Sequence, residues 1–396
     1  WHAETKDAVS PVIVWQDSRT AEVIEKLKGD GAEALTLERA GLPLDAYFSA
    51  AKLAWIVEHI PEAKRLLDQG KLRLGTTDAF FLDRLTGRCV TDITTASRTS
   101  LMNLESGQWD AELCRLFGVP LEALPQIVPT TGDFGAIDVK GRKVPVTASI
   151  VDQQAALYGH GCRKAGDVKI TFGTGAFVLM LTGAEVLRAP DKGLLPTVAW
   201  QFAGQKPVYA LDGGVYSASA AVNWGRGLGL FDDFEALNRL QGPPALDGGL
   251  AFVPALSGLA CPHWDRQARG TWVGLSIDHG GAELMKSILE GVACRAAEVV
   301  QAMSTLLPAS GPLSIDGGMS ANPYFLQFLA DILERDLSVS TNAELTGSGT
   351  ARLAALAAGR TPGEGGEARV VTPQAARGRL LQRFAEAVTI SRGWKN

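Results

Sequence analysis

The residues best placed to do chemistry stand at the end of an apolar run. "VPVTASIV", Val144 to Val151, leads directly into Asp152, Gln153 and Gln154, and the small residues and glycines of "AALYGHG" follow. The run reads as a buried strand. A carboxylate at a strand end, projecting into a cleft, can take the proton of an alcohol, and a neighbouring amide can hold a further hydroxyl. On spacing alone, an Asp here serves equally well as a helix cap, with the glutamines at the surface.

A second group of candidates is built on glycine. "ALDGGVYSASA" and "SIDGGMSANPY" both set Asp-Gly-Gly after an apolar strand and before a helix, and "FGTG" marks a tight turn between two strands. Glycine lets backbone approach a ligand closely, and a helix start offers N–H groups to an anion. Three such turns after residue 160 point to a phosphate-bearing ligand. The common nucleotide signatures are absent. Gly161 and Gly166 have P-loop spacing, but Asp167 stands where a Lys is needed. "GRGLGL" follows a helix, so it fails the strand-first condition of a dinucleotide fingerprint.

These residues need a scaffold of more than one core, because 396 residues suggest two domains. To about residue 125 the pattern is helical. "DSRTAEVIEKLKGD" and "AAKLAWIVEHI" carry apolar residues at helical spacing, with Asp17 or Ser18 as a cap, Pro61 in a first turn and Gly87 as a stop. Val12 to Trp15 reads as a strand, and Ile127 to Val151 as short strands. Then come two strands around "FGTG", strand-to-helix units at Asp212-Gly-Gly and Asp316-Gly-Gly, and a long helix in "LEGVACRAAEVVQAMSTLL". A polar loop, "RTPGEGGEARVVTP", precedes a terminal helix. A net charge of -5 argues against nucleic acid as partner, and no apolar run is long enough for a membrane span. The five scattered cysteines suit a reducing compartment better than a disulfide framework or zinc site.

The chain resembles the FGGY family of carbohydrate kinases nearly end to end. The matching blocks are "VWQDSRTAE", "GLPLDAYFSAAKLAWIVEH", "GTTDAFFLDRLTG", "TDITTASRTSLMNL", "VDQQAALYG", "TFGTGAFVLM", "VPALSGLACPHWDRQARGTWVGLS" and "IDGGMSANPYFLQFLADIL". "TASRTSLMN" and "AYFSAAK" tilt the resemblance toward members that phosphorylate a small polyol, glycerol above all, rather than a pentulose. It implies an α/β, two-domain, actin-like or ribonuclease H-like ATPase fold with a cleft. Residues 1–156 would form the substrate side and 157–396 the nucleotide side. ATP and Mg2+ would be the cofactors, the location cytoplasmic, and the assembly a homodimer or homotetramer.

Residue by residue, Asp152 inherits the general base and a place at the metal, and Gln153 a bond to a substrate hydroxyl. Trp15 and Phe177 match the apolar walls of the substrate pocket, and Tyr47 a hydroxyl donor. Thr174, Gly175, Ser219, Asn223, Gly318, Met319 and Asn322 match the nucleotide side. Ser219 and Asn223 stand where Gly and Gln are usual, and Val151 where Gly is usual. His263 and Cys261 replace a usual Tyr and Ala. The family's first hairpin, with its magnesium Asp and Gly-Thr-Thr turn, and a following Arg-Glu pair have no counterpart in the sequence, so an N-terminal piece is expected upstream of Trp1. A pentulose kinase and a catalytically inactive nucleotide-binding protein remain alternative readings.

Overall fold

In a computed structural model, which describes residues 1–363 and 368–394, a helical N-terminal part leans on a sheet-centred C-terminal part. The N-terminal part runs through α1 (Ala21–Gly29), α2 (Glu33–Arg39), α3 (Ser49–His59), α4 (Pro61–Asp68), α5 (Thr77–Thr86), β1 (Val90–Asp92), α6 (Ile93–Ala96), β2 (Met102–Asn103), β3 (Gln108–Trp109), α7 (Ala111–Phe117), β4 (Gln126–Val128), β5 (Ala136–Val139) and β6 (Arg142–Pro145). Pro61 opens α4, and Gly87 ends α5 in a left-handed conformation, φ 79°. The expected cap at Asp17 or Ser18 is not formed. Helix α1 begins only after Thr20, because the Asp17 carboxylate pairs with Arg19 at 2.7 Å.

The C-terminal part continues with α8 (Asp152–Gly159), β7 (Val168–Phe172), β8 (Ala176–Gly183), β9 (Leu195–Trp200), β10 (Val208–Val215), α9 (Ser219–Gly227), α10 (Phe234–Asn238), β11 (Ala251–Val253), β12 (Thr271–Val273), α11 (Gly281–Ser304), β13 (Leu313–Gly317), α12 (Pro323–Leu333), β14 (Leu337–Ser340), α13 (Leu345–Ala357), β15 (Ala368–Val371) and α14 (Arg379–Gly393). One sheet has the order β15-β14-β13-β7-β8-β10-β9. Strand β13 is parallel to β7 and β14, and the remaining pairs are antiparallel. Its central strands are near-continuous apolar runs because both faces are covered. Helix α11 lies against β8 and β10 on one face, and α6 and α8 against β8 and β9 on the other. Helix α11 is buried from Met285 to Met303 over most of its circumference, as a helix in the middle of a core must be.

Several expectations are corrected. Val12 to Trp15 is not a strand: among the described residues no strand pairs with it, and Val12 and Val14 are 70% and 53% exposed. The run before Asp152 is not a buried strand either. Strand β6 ends at Pro145 as an exposed edge paired with β5. Beyond it the chain follows residues 130–135 through separate bonds such as Val146 N–H to Gly135 O and Ser149 N–H to Thr130 O. The tripeptide Asp212-Gly213-Gly214 lies inside β10, not at its junction with α9. In the expected polar loop, Ala368–Val371 forms edge strand β15 against β14, while residues 364–367 lie outside the described residues.

Candidate active site

The entry to α8 is fixed from below by a buried carboxylate. Asp92 is fully buried and accepts hydrogen bonds from the N–H and hydroxyl of Thr94, from those of Thr95, and from the Thr130 hydroxyl. Burial and the nearby Asp78 push its carboxyl up to about 6. The Thr94 hydroxyl in turn accepts from the N–H of Val151 at 3.0 Å. Val151 has φ -71° and ψ 150°, ordinary extended backbone, so a β-branched residue fits where the family pattern has Gly.

From that anchor Asp152 opens α8 with its side chain exposed, accepting only the next N–H, of Gln153, at 2.7 Å. Val151, not Asp152, occupies the cap position. The two glutamines divide the remaining work. Gln154 is buried and donates to Thr197 Oγ1 and Val198 O, which ties α8 to β9. Gln153 Oε1 accepts from Lys169 Nζ at 2.7 Å. An ammonium only donates, so this bond orients the amide and leaves its NH2 as the outward end. Lys169 is completely buried within β7; burial lowers its pKa, and the charges of Asp316, Asp152 and Asp212 oppose that.

Beside this lies a cavity of about 50 Å³, room for a handful of water-sized groups at ~10–15 Å³ each. Trp15 and Tyr47 stand 5.4 Å apart by ring centroids on one wall. Phe177 on β8, opposite Gly214 of β10, forms the other, with Tyr216 and Trp264 near the rim. Burial pushes the Tyr47 hydroxyl up to about 12; Arg98 pulls against it, while Asp212 and Asp152 add to it. It therefore stays a phenol and a donor. In the floor, Arg98 Nη2 donates to Asp212 Oδ2 at 2.7 Å. The sequence reading did not single out Arg98, Asp212 or Lys169. Arg98 sat inside "TASRTSLMN", Asp212 was read only for the glycines beside it, and Lys169 is a lone charge in an apolar strand.

The glycine turns gather at the ends of β7 and β13, and Gly175 of the β7–β8 turn also lines the cavity. In the β7–β8 turn, Gly173 O accepts from Ser219 N–H, and Thr174 O from the N–H groups of Ala218 and Ala220, at 2.9–3.1 Å. The first amides of α9 are thus bonded to the hairpin and not free for an anion, which corrects that expectation. Gly175 is required as glycine, since a Cβ there would sit 2.5 Å from Val215 O. Thr174 and Asn223 are exposed and Ser219 half-buried along this seam. Gly317, paired with Phe172, brings exposed Gly318 alongside. Met319 and Asn322 turn inward. The Asn322 side chain caps α12 through Phe325 N–H and donates to Leu237 O. Ligands of open α/β sheets bind beyond the carboxyl ends of parallel strands, and β7 and β13 both end here.

Residues 1–159 match the N-terminal domain and residues 168–358 the C-terminal domain of the FGGY family of carbohydrate kinases. The chain belongs to that family. It is 41% identical over 409 residues to a glycerol kinase of Alkalilimnicola ehrlichii, covering 100% of this chain and 82% of that one. It is equally similar, 41% over 410 residues with the same coverages, to a glycerol kinase of Thermus brockianus. Among solved structures, a Plasmodium falciparum glycerol kinase with ADP superposes with TM-score 0.89 at 29% identity, over 99% of this chain and 81% of that one. A Rhodospirillum rubrum xylulose kinase, 24% identical, shares the fold with TM-score 0.81, over 94% of this chain and 78% of that one. The architecture is the two-domain, actin-like, ribonuclease H-like fold of these FGGY kinases. Among the described residues no helix is long and apolar enough to cross a membrane.

Proposed function

We propose that this chain phosphorylates glycerol to sn-glycerol 3-phosphate with ATP as donor. The observation that carries the proposal is a small, aromatic-walled cavity whose Tyr47 hydroxyl and Asp212 carboxylate both feel the charge of the exposed Asp152, next in the chain to the Lys169-oriented Gln153. The charges of Asp152 and Asp212 both act on the Tyr47 hydroxyl at that cavity. Trp15 and Phe177 would hold the carbon edge of the polyol, with Tyr47 and Gln153 donating to hydroxyl oxygens. Asp152 would accept the proton of the attacking hydroxyl as its oxygen bonds to the γ-phosphorus and the bond to ADP breaks. In such transfers most of the gain comes from positioning and electrostatics, which explains the buried supports beneath an exposed base.

The nucleotide would lie along Thr174, Gly175, Ser219, Asn223, Gly318, Met319 and Asn322, the last two shaping the turn from within. With the first amides of α9 occupied, its phosphates would meet the Thr174 hydroxyl and the exposed edge of Gly318. Among the described residues no three acidic, His or Cys side chains converge as a metal site. That suits magnesium, which keeps most of its waters and is held by one or two carboxylates and the substrate phosphates. Asp152 would be its protein ligand, and the ion would neutralise charge on the phosphates. Residues 1–156 would carry the substrate side and 157–396 the nucleotide side, with α8 running through that boundary.

ADP release measured over glycerol, xylulose and gluconate tests the substrate: glycerol is expected to be turned over fastest, and a faster sugar would overturn that assignment. Asp152→Asn should lower kcat by about 10²–10⁴-fold, the usual worth of a positioned base. A variant with the native rate would remove Asp152 from that role.

A further inference from the structure

The floor of the aromatic cavity holds polar atoms that the protein leaves unpaired. Arg98 and Asp212 share one bond, Nη2 to Oδ2. The second guanidinium nitrogen, Arg98 Nη1, and the second carboxylate oxygen, Asp212 Oδ1, are buried without a hydrogen-bond partner. Both residues line the cavity. A buried donor and acceptor left unmade are costly, and each calls for a partner.

The topology explains why both atoms face the same space. Along β10, Gly213 points to α11, where a Cβ would strike Val299. Asp212 and Gly214, one residue either side, therefore point to the opposite face. There Gly214 adds no side chain beside Phe177, and the space stays open. Arg98 arrives from the N-terminal part just after α6, which is held to β9 by the Ser97–Thr197 hydroxyl pair at 3.0 Å.

We infer that Arg98 and Asp212 form a hydroxyl-binding subsite, in which Arg98 Nη1 donates to, and Asp212 Oδ1 accepts from, one hydroxyl group of the polyol. The inference rests on the polyol reading of the cavity and adds its specificity element. A single hydroxyl satisfies both atoms at once because it is donor and acceptor together. A methylene at that point leaves a buried charge pair half-satisfied, so the subsite rejects polyols that lack the hydroxyl.

The test compares glycerol with its two deoxy analogues, propane-1,2-diol and propane-1,3-diol. Dissociation constants are read by calorimetry, independently of turnover, and kcat/KM by ADP release. The native chain should bind at least one analogue about 10–100-fold more weakly than glycerol, the worth of a hydrogen bond to a charged group. In Arg98→Lys and Asp212→Asn glycerol should weaken by the same factor, and the preference over that analogue should collapse to about threefold or less. A purely structural pair would weaken all three polyols alike and keep the preference. A folded Arg98→Lys protein with full discrimination overturns the subsite, as does a native chain that does not distinguish the three polyols. Arg98→Lys keeps a charge opposite Asp212 and carries the test if Asp212→Asn fails to fold. Polyol binding with the predicted discrimination but no ADP release would sink the kinase reading and leave the subsite standing.

Discussion

The tripeptide Asp-Gly-Gly occurs three times; one copy, at 247–249, lies in a turn, and the two on the central sheet, at 212–214 and 316–318, take opposite structures. The first continues a strand; the second ends one. Val215 and Tyr216 follow the first, residues that favour an extended, half-buried surface. Asn322 and Pro323 follow the second at the positions that cap and open a helix, and the chain turns to meet them. The glycines serve different ends too. Gly213 exists for close packing, since a Cβ would strike Val299 on α11, whereas Gly317 has φ 92° and lies against the carbonyl of Phe172. The aspartates differ in electrostatics. At Asp212, burial first and then Asp152 raise the carboxyl, and Arg98 and Lys169 do not reverse it. At Asp316, burial alone would raise it, but His160, 3.3 Å from its carboxylate, and Lys169 prevail, and it is lowered. A local motif therefore sets neither conformation nor charge state; the groups packed on it do.

Alanine at the two middle glycines should break the symmetry most strongly. In Gly317→Ala a side chain must adopt positive φ and also displace a backbone carbonyl, which cannot rotate away. A loss of about 3 kcal/mol or more is expected. In Gly213→Ala the obstruction is a Val side chain and a nearby Cys261 sulfur, and overpacking of that kind costs about 1–3 kcal/mol. Urea unfolding of both variants checks the order. A Gly213 variant the less stable of the two would mean that packing against α11, not backbone conformation, is the stricter constraint.

The aspartates give a smaller effect with opposite signs. A lowered carboxyl contributes stability that is present above the unfolded carboxylate range, near pH 4, and is lost as pH falls through its folded value. The stability deficit of Asp316→Asn should therefore shrink below about pH 4. A raised carboxyl behaves the other way. Ionised Asp212 is disfavoured in the fold, so native stability declines as pH rises from about 4 through its folded value. Relative to the native chain, Asp212→Asn should improve over that interval. Melting temperatures between about pH 3 and 7 for the native chain and both variants decide it. Parallel curves for the two variants would refute the contrast.

How much of this could be read from sequence follows the same division. The apolar runs "VKITF" and "AFVLMLTG" and the helix of "LEGVACRAAEVVQ" depend on local pattern and were legible. Asp152 and Gln153 stood out as candidates from their types and spacing, but the segment that presents them did not. Their setting depends on Asp92 and Thr94, some sixty residues earlier in the chain. The helix-start amides at Ser219 looked free because the carbonyls that occupy them, of Gly173 and Thr174, come from a hairpin much earlier in the chain. Val12 to Trp15 carries strand residues without a strand, because alternation proposes a ladder and only a neighbour supplies one. Arg98 and Asp212 were invisible as a pair, since their bond spans 114 positions and joins the two parts of the molecule.

The outer glycines should give the smallest change in stability, and Gly318 turns that into a test of the site. A Cβ on Gly318 would meet nothing within 4 Å, and its φ is not in the left-handed region. Gly318→Ala should leave stability unchanged or raise it by about 0.4–1 kcal/mol, through the less flexible unfolded chain. The same methyl would project from the exposed end of β13 beside the β7–β8 turn, where the nucleotide is proposed to lie. The KM for ATP should then rise severalfold at an unchanged melting temperature, while the KM for glycerol stays put. The mirror substitution, Gly214→Ala, places its methyl 4.0 Å from Phe177 in the aromatic cavity, where the polyol is proposed to bind, and should raise the glycerol KM instead. If Gly318→Ala leaves the ATP KM untouched, the end of β13 is not a nucleotide surface, and the two Asp-Gly-Gly copies do not divide donor from acceptor.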